Sequence, residues 1–395
     1  MKSQPNIATP RIFLDNHSTT RVDDRVLEAM VPFFLDEYGN AASRQHEFGW
    51  IAAAAVEKAR RSVASLINAE PAEVFFASGA TEANNLALKG LIEAYAPAKS
   101  HVITVVTEHP SVLDTCARLE AYGCTVTRLG VDASGLVDPD DVLRALTPST
   151  LVVSVMFANN EIGTVAPIAE IAGICHDAGV FLHTDATQAL PYLPIDVHAA
   201  GIDLLTFSGH KCHGPKGIGG LFVRRGISLT AQMDGGSHEK GMRSGTLNVP
   251  GIVGMGEAFR IIAEERERVV PRVLQLRDRF AGLLRERCGE IAVNGHHDRR
   301  LPNNLSVTFA GVRADRLMME VRRVAMSTGS ACGSASPEPS YVLRAIGLDR
   351  EAVASTIRFG LSKYTREDEI DLATTLLAEG VRVVRSRNVP AAAGV

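Results

Sequence analysis

The stretch TFSGHKCHGPKGIGG, residues 206–220, runs from the end of an apolar segment into a turn punctuated by glycine, and it sets Ser208, His210 and Lys211 just past a predicted strand. A lysine is most often a solvated surface charge. One that follows an apolar strand, beside a hydroxyl, an imidazole and close-approach glycines, suits a partly desolvated amine that condenses with an aldehyde. Lysines of this kind commonly carry pyridoxal phosphate. The glycines taken alone serve a sharp bend equally well.

Outward from this segment, short β-branched runs alternate with helical stretches, the pattern of a mostly parallel sheet covered by helices on both faces. Strands are predicted over 74–77, 102–107, 125–129, 151–157, 180–184, 204–208 and 220–223, with helices over 81–95, 111–122, 139–146 and 167–178. A long charged helix over about 251–287 follows. Beyond it, strands at 305–309 and 357–361 and helices near 314–321 and 366–385 predict a smaller α+β unit. The reading is an α/β protein with a large domain over 16–258, built on a seven-stranded sheet, and a smaller domain made of 1–15 and 259–395.

The chain has 395 residues, enough for two or three domains and a sizeable core. Its 41 Lys and Arg against 45 Asp and Glu leave a formal charge of −4, so no polyanion such as nucleic acid is indicated as a partner. No apolar run approaches the roughly 20 residues that span a bilayer, and the first residues lack the apolar core of a secretory signal. A cytoplasmic protein is expected. Six cysteines lie scattered without a C-x-x-C pair, so neither a disulfide framework nor an intrinsic metal site is expected.

Five further segments carry chemistry. In HTDATQAL (183–190), Asp185 ends an apolar run and can pair a pyridinium nitrogen, keeping it protonated in a low-dielectric site; Gln188 can reach the ring hydroxyl, and the plain alternative for Asp185 is a helix cap. In SGATEANN (78–85), Ala80 and Thr81 open a helix whose first N–H groups make an anion site for a phosphate, with an ordinary N-cap by Thr81 as the alternative. TEHPSVLD (107–114) places His109 at a strand end, where an imidazole can lie on a cofactor and move protons, or be an ordinary surface histidine. ANNEIGTV (158–165) places Asn160 similarly. These residues and Lys211 all fall near C-terminal strand ends, where open α/β sheets bind ligands. STGSACGSASPEPS (327–340) surrounds Cys332 with Gly, Ser and Ala and no apolar anchor, a setting for an exposed reactive thiol rather than a structural one.

Together with LDNHSTT (14–20), GNAASRQHEFGW (39–50), GMRSGTLNVPGIVGMGEA (241–258), EPSYVLRAIGL (338–348) and TIRFGL (356–361), these segments give a chain that resembles the cysteine desulfurases of the NifS/IscS type, in the class V aminotransferase group of fold-type I pyridoxal-phosphate enzymes, over nearly its whole length. The resemblance implies that Lys211 binds the cofactor aldehyde, Asp185 pairs the pyridine nitrogen and His109 stacks on the ring and shuttles protons. Gln188 and Asn160 contact the ring-oxygen side. Ala80, Thr81, Ser208 and His210 hold the phosphate, completed by Thr246 from the neighbouring subunit of a homodimer. Arg358 binds the α-carboxylate of L-cysteine with help from Asn160, and the Cys332 thiolate takes the sulfur as a persulfide, releasing alanine.

The sulfur then passes to an acceptor, an iron–sulfur scaffold or a tRNA-thiolation carrier, and Cys332 is a candidate transient ligand of a 2Fe–2S cluster held with such a scaffold. His17 and Ser18 depart from the usual family residues and alter the pocket edge. Gly333 loosens the cysteine loop and Pro337 stiffens it. Cys212 reads as packing, and the short tail after Arg387 leaves the acceptor open. The alternatives are a selenocysteine lyase or another pyridoxal-phosphate lyase, decided by substrate competition, and a cofactor-free scaffold that binds a sulfur carrier, against which Lys211, Asp185 and His109 all speak.

Overall fold

The computed structural model describes residues 11–328 and 339–388. In chain order its strands are β1 (Ile12–Phe13), β2 (Val74–Ala77), β3 (His101–Val105), β4 (Thr125–Leu129), β5 (Thr150–Ser154), β6 (Phe181–Asp185), β7 (Leu204–Ser208), β8 (Gly219–Val223), β9 (Ile291–Asn294), β10 (Asn304–Phe309), β11 (Val324–Ala325) and β12 (Thr356–Gly360). Every residue of β3, β5, β7 and β8 is buried. That is why they read in the sequence as short continuous apolar runs rather than alternating ones. Strand β4 lies at a sheet edge and is half exposed.

Seven strands form one sheet in the order β2-β8-β7-β6-β5-β3-β4, with β8 antiparallel to both of its neighbours and the remaining pairs parallel. After β4 the chain returns to the other side of β3 to make β5. The order of strands therefore reverses between β3 and β5, and a crevice opens there beyond their C-terminal ends. At the other side of the sheet, Gly219 lets β8 run close under the start of the helix Ala80–Tyr95: a Cβ at 219 would stand 2.7 Å from the Gly79 Cα and 2.6 Å from the Phe207 carbonyl oxygen.

A second, antiparallel sheet has the order β12-β10-β9, and β1 pairs in parallel with β11. The 40-residue helix Val249–Cys288, about 60 Å long at 1.5 Å per residue, joins the two layers. Its first part (Val249, Ile252, Met255, Phe259, Ile262) packs into the core of the large sheet. Its last part (Val273, Leu276, Phe280, Leu284, Cys288) packs into the core around the small one.

The predicted strands all form, with two differences. The expected strands 102–107 and 151–157 leave the ladder at Val105 and Ser154, because the residues that follow bend toward the crevice while remaining buried or half-buried. No element was expected before residue 73, yet the helix Glu47–Leu66 is a major one. His46 caps it by accepting from the Gly49 N–H, and Ala52, Val56, Ala59 and Val63 form a buried stripe at helical spacing. No helix among the described residues is long and apolar enough to cross a membrane.

Helix Glu47–Leu66 meets Val249–Cys288 at Gly256, where a Cβ would lie 2.5 Å from the Ala59 Cβ and 2.6 Å from its Cα. Gly256→Ala must separate two backbones, at a cost of about 1–3 kcal/mol, which outweighs the gain of about 1 kcal/mol for replacing glycine inside a helix. Urea unfolding should show a lower midpoint with unchanged slope.

Burial pushes His17 down to about 3 and His183, His210 and His213 down to about 4. Between pH 6.5 and about 4 the unfolded chain therefore binds protons at these sites that the native state refuses, and stability falls with pH by about 1.4 kcal/mol per unit for each such proton. Glu108 and Glu161, raised by burial, take up protons in the native state and offset part of the loss. Unfolding midpoints at pH 7.5, 6 and 5 should decline in that order; a flat series contradicts the neutral histidines.

Candidate active site

A cavity of about 500 Å³ opens at the C-terminal ends of the large sheet's strands and extends to the small sheet. Ten of the expected residues line it: Ala80, Thr81, His109, Asn160, Asp185, Gln188, Ser208, His210, Lys211 and Arg358. Thr246 is exposed and does not line the cavity of its own chain, and Cys332 lies outside the described residues.

Lys211 ends the single 3-10 turn that follows β7. Its ammonium donates to the carbonyl oxygens of Ser18, at 2.7 Å, and His17. Strand β6 delivers Asp185, only 7% exposed. One of its carboxylate oxygens accepts from Asn84 Nδ2 at 2.8 Å and the other from the Thr187 N–H at 2.9 Å. The plain alternative of a helix cap does not hold, because the residues after Asp185 form turns and no helix; the Thr187 bond is a local turn contact on one oxygen that leaves the carboxylate lining the cavity. His109 caps the helix Pro110–Ala121: its Nδ1 accepts from the Ser111 N–H at 3.1 Å and lies 2.8 Å from the Ser111 hydroxyl. With Nδ1 an acceptor, the neutral ring carries its proton on Nε2. Asn84 donates to Ser111 Oγ as well, at 2.9 Å, so a single amide links the histidine's partner to Asp185.

Asn84 and Ser111 stood in the quoted segments without an assigned role. The signal was available for Asn84: it falls four residues after Ala80, on the helix face that turns inward, where an uncharged amide needs polar company.

At one end of the cavity, the helix Ala80–Tyr95 begins at Gly79 with no side-chain cap, so the plain N-cap reading of Thr81 does not hold. Glu82, in the first turn, opposes an anion there. Its charge is met by Arg243 Nε at 2.7 Å, and it accepts the Ser78 N–H at 2.8 Å. His210 is neutral through burial and then the nearby Lys211 and Lys216. Ser208 is buried, its hydroxyl 3.5 Å from the Ile218 carbonyl. Arg243 is held by a loop locked from below: Glu239, at a φ of 48°, forms a buried two-bond pair with Arg60 at 2.7 and 2.8 Å and accepts the Phe76 N–H at 2.8 Å.

At the other end, Arg358 projects from β12 with 3% exposure. Its guanidinium donates to the Asn160 carbonyl at 3.0 Å, the Ser18 hydroxyl at 2.9 Å and an Asp15 carboxylate oxygen at 3.1 Å, while its buried Nε has no hydrogen-bond partner among the described residues. The arginine is thus aimed by two segments, Asp15–Thr20 and the residues after β5, and it lines the cavity with donor capacity left over. Between the two ends, Gln188 bonds the buried His17 through both atoms of its amide.

This donor set fits pyridoxal phosphate: an amine for the aldehyde, a buried carboxylate for the ring nitrogen, an imidazole beside it, and for the phosphate an uncapped helix start with Lys216 nearby and the charge of Glu82 met by Arg243. The volume lies in the range of cofactor pockets.

Comparison with known proteins agrees. Residues 12–372 match the class-V aminotransferase family. The cysteine desulfurase IscS of Anaeromyxobacter dehalogenans (strain 2CP-C) is 51% identical over 376 residues, covering 95% of this chain and 93% of that protein. Among solved structures, a NifS-like protein superposes with a TM-score of 0.89 at 35% identity, covering 94% of this chain and all of the other. A structure described as SspA in complex with cysteine superposes with a TM-score of 0.81 at 36% identity, over 90% of this chain and all of that one. With an extended match to the family and a relative identical at half its positions, the chain belongs to the class-V aminotransferases, a family of pyridoxal-phosphate enzymes, and to their cysteine desulfurase group.

Proposed function

We propose that this protein is a pyridoxal-phosphate-dependent cysteine desulfurase that converts L-cysteine to L-alanine and holds the sulfur as a persulfide on Cys332. The observation that carries the reading is the Lys211 ammonium, placed in one cavity with Asp185, His109 and Arg358. Bound there, pyridoxal phosphate supplies the electron sink that lets the substrate's α-carbon lose a proton. The buried Asp185 carboxylate stabilises positive charge at the ring nitrogen. His109, fixed through Nδ1, holds a proton at Nε2 facing the cavity. Arg358 and Asn160 orient the substrate at its carboxylate.

The thiol assignment gains support from the other cysteines. Burial pushes the thiols of Cys116, Cys175 and Cys212 up to about 12 and that of Cys288 up to about 11, and raises Cys124, so all five described cysteines are poor thiolates. The described chain leaves for Cys332 at the site itself: Ser327 exchanges two backbone hydrogen bonds with Arg358. It returns there too, where Ser340 donates to Glu161 at 2.6 Å and Tyr341 to the Glu108 carbonyl at 2.6 Å. The five residues from Ser327 to Cys332 span at most about 17 Å of chain. The transfer balances: the Cys332 thiolate bonds to the substrate sulfur, the carbon–sulfur bond breaks, and the carbon keeps the electron pair, takes a proton and ends as alanine.

The same reading divides the chain into a domain over 16–258 and one of 1–15 and 259–395 that carries the cysteine loop. It pairs two copies so that Thr246 reaches the neighbour's phosphate end; the exposure of Thr246 supports this, as does the apolar surface of Phe34, Leu35, Tyr38, Phe48 and Trp50. A cytoplasmic acceptor, an iron–sulfur scaffold or a tRNA-thiolation carrier, then takes the sulfur, and resemblance to the desulfurases is what supports it.

Lys211→Ala should abolish alanine formation from L-cysteine, and retained turnover removes the assigned anchor. Cys332→Ala should bind cofactor and cysteine yet form no protein persulfide, measured by alkylation and mass spectrometry. Arg358→Lys should raise KM for L-cysteine by about 10-fold or more, because a point charge cannot reproduce the fork.

A further inference from the structure

Gln188 faces the ring-oxygen side of the cofactor on the reading just given, and the following rests on that reading. Its amide is held by one residue. Nε2 donates to the His17 carbonyl oxygen at 3.0 Å, and Oε1 lies 2.9 Å from His17 Nδ1. A carbonyl only accepts, so the first bond fixes which end of the amide is nitrogen. Oε1 therefore faces Nδ1, and Nδ1 must carry a proton.

The far side of the ring gives the same answer independently. Asn304 Nδ2 stands 3.1 Å from His17 Nε2 and also donates to the Glu161 carbonyl at 3.2 Å, which fixes that amide in turn. Nε2 meets a donor and so presents a lone pair. The imidazole is neutral, protonated on Nδ1 only. The charged groups that face it, Arg358 and Lys211, and its burial both keep a second proton away. The ring is clamped in place as well: a Cβ on Gly360 of β12 would stand 2.7 Å from its Cδ2.

We propose that His17 is a positioning residue whose Nδ1–H locks the Gln188 amide, so that the second N–H of Gln188, and never its carbonyl oxygen, is presented to the ring-oxygen side of the cavity. A donated N–H stabilises an anionic ring oxygen, whereas a flipped amide would set two oxygens against each other. Because Asn304 belongs to β10 of the small sheet and Gln188 follows β6 of the large one, the same ring ties the amide's orientation to the seating of the small sheet, whose β12 carries Arg358.

The test reads the pH at which the visible absorption band of the cofactor-loaded enzyme half-titrates. His17→Leu fills the space without a donor. His17→Asn keeps an amide N–H where Nδ1 stands. The expected result is that His17→Leu and Gln188→Ala shift the half-titration pH by about half a unit or more in the same direction, the double variant shifts it no further, and His17→Asn stays near wild type. In His17→Leu, kcat on L-cysteine falls about tenfold with KM little changed. A residue that only packs would give the reverse order, leucine being tolerated and asparagine not. The proposal is overturned if His17→Leu keeps the wild-type value while Gln188→Ala moves it, if the two shifts add, or if His17→Asn moves as far as Gln188→Ala; this last comparison decides the matter even where the leucine variant does not fold. A loaded wild-type enzyme that forms no alanine from L-cysteine defeats the functional reading instead, and the band comparison still decides the role of His17.

Discussion

The site depends on a short segment, Asp15–Thr20, that turns between the two sheets and gives its backbone and side chains to both. Its carbonyls at His17 and Ser18 receive the Lys211 ammonium. The Asp15 carboxylate and the Ser18 hydroxyl hold Arg358, and Thr20 bonds the His210 carbonyl through both its N–H, at 3.0 Å, and its hydroxyl, at 2.9 Å. The segment makes a turn in which the Ser18 N–H donates to the Asp15 carbonyl at 3.0 Å, and the turn leaves the carbonyls of His17 and Ser18 to accept from Lys211. A helix would have spent the same carbonyls on itself. Amine and guanidinium are thus placed relative to one another by six residues of chain, although they come from elements nearly 150 positions apart.

That arrangement concentrates positive charge, and the surrounding burial decides which groups answer it. Glu108 is buried beside Asp185, its carboxyl raised well above the ordinary range by burial and by that neighbour's charge. One of its oxygens accepts the Met156 N–H. Glu161 is likewise raised by burial and bonded by Ser340. Glu108 thus takes up a proton more readily than an ordinary carboxyl, which limits the negative charge packed at these strand ends. Neutral histidines at 17 and 210 complete the pattern, since imidazolium at either would add to the positive charge of Lys211.

Much of this was legible in the sequence because the chemistry sits where strands end. A strand buried on both faces produces an apolar run with an abrupt polar stop, and that stop is the place at which Asp185, Ser208 and Lys211 enter the crevice. What escaped was of two kinds. The helix Glu47–Leu66 has a clear 3.6-residue stripe but no chemistry-bearing residue to draw notice to it. The partners Ser111 and Asn304 act on other side chains and not on a ligand, so nothing in their local sequence distinguishes them from ordinary polar residues, whereas Asn84 carried the signal of its helix face; only the fold brings Asn304 within reach of His17, 287 positions away. His17 itself was visible only as a departure from the usual family residue.

A desulfurase also has to keep reactive sulfur from the wrong thiol, and Cys212 is the position at which that demand is sharpest, directly after Lys211. The geometry resolves it by orientation. Cys212 caps the 3-10 turn with its N–H to the Gly209 carbonyl, and its side chain is 1% exposed within the core of the large sheet. Burial raises its thiol to about 12 even with Lys211 and Arg266 near enough to pull the other way. One residue's rotation along a tight turn therefore separates an amine that faces the cavity from a thiol that does not. Proximity in sequence to the reactive lysine confers no reactivity, because the thiolate fraction is set by the desolvation of the sulfur and not by its distance along the chain.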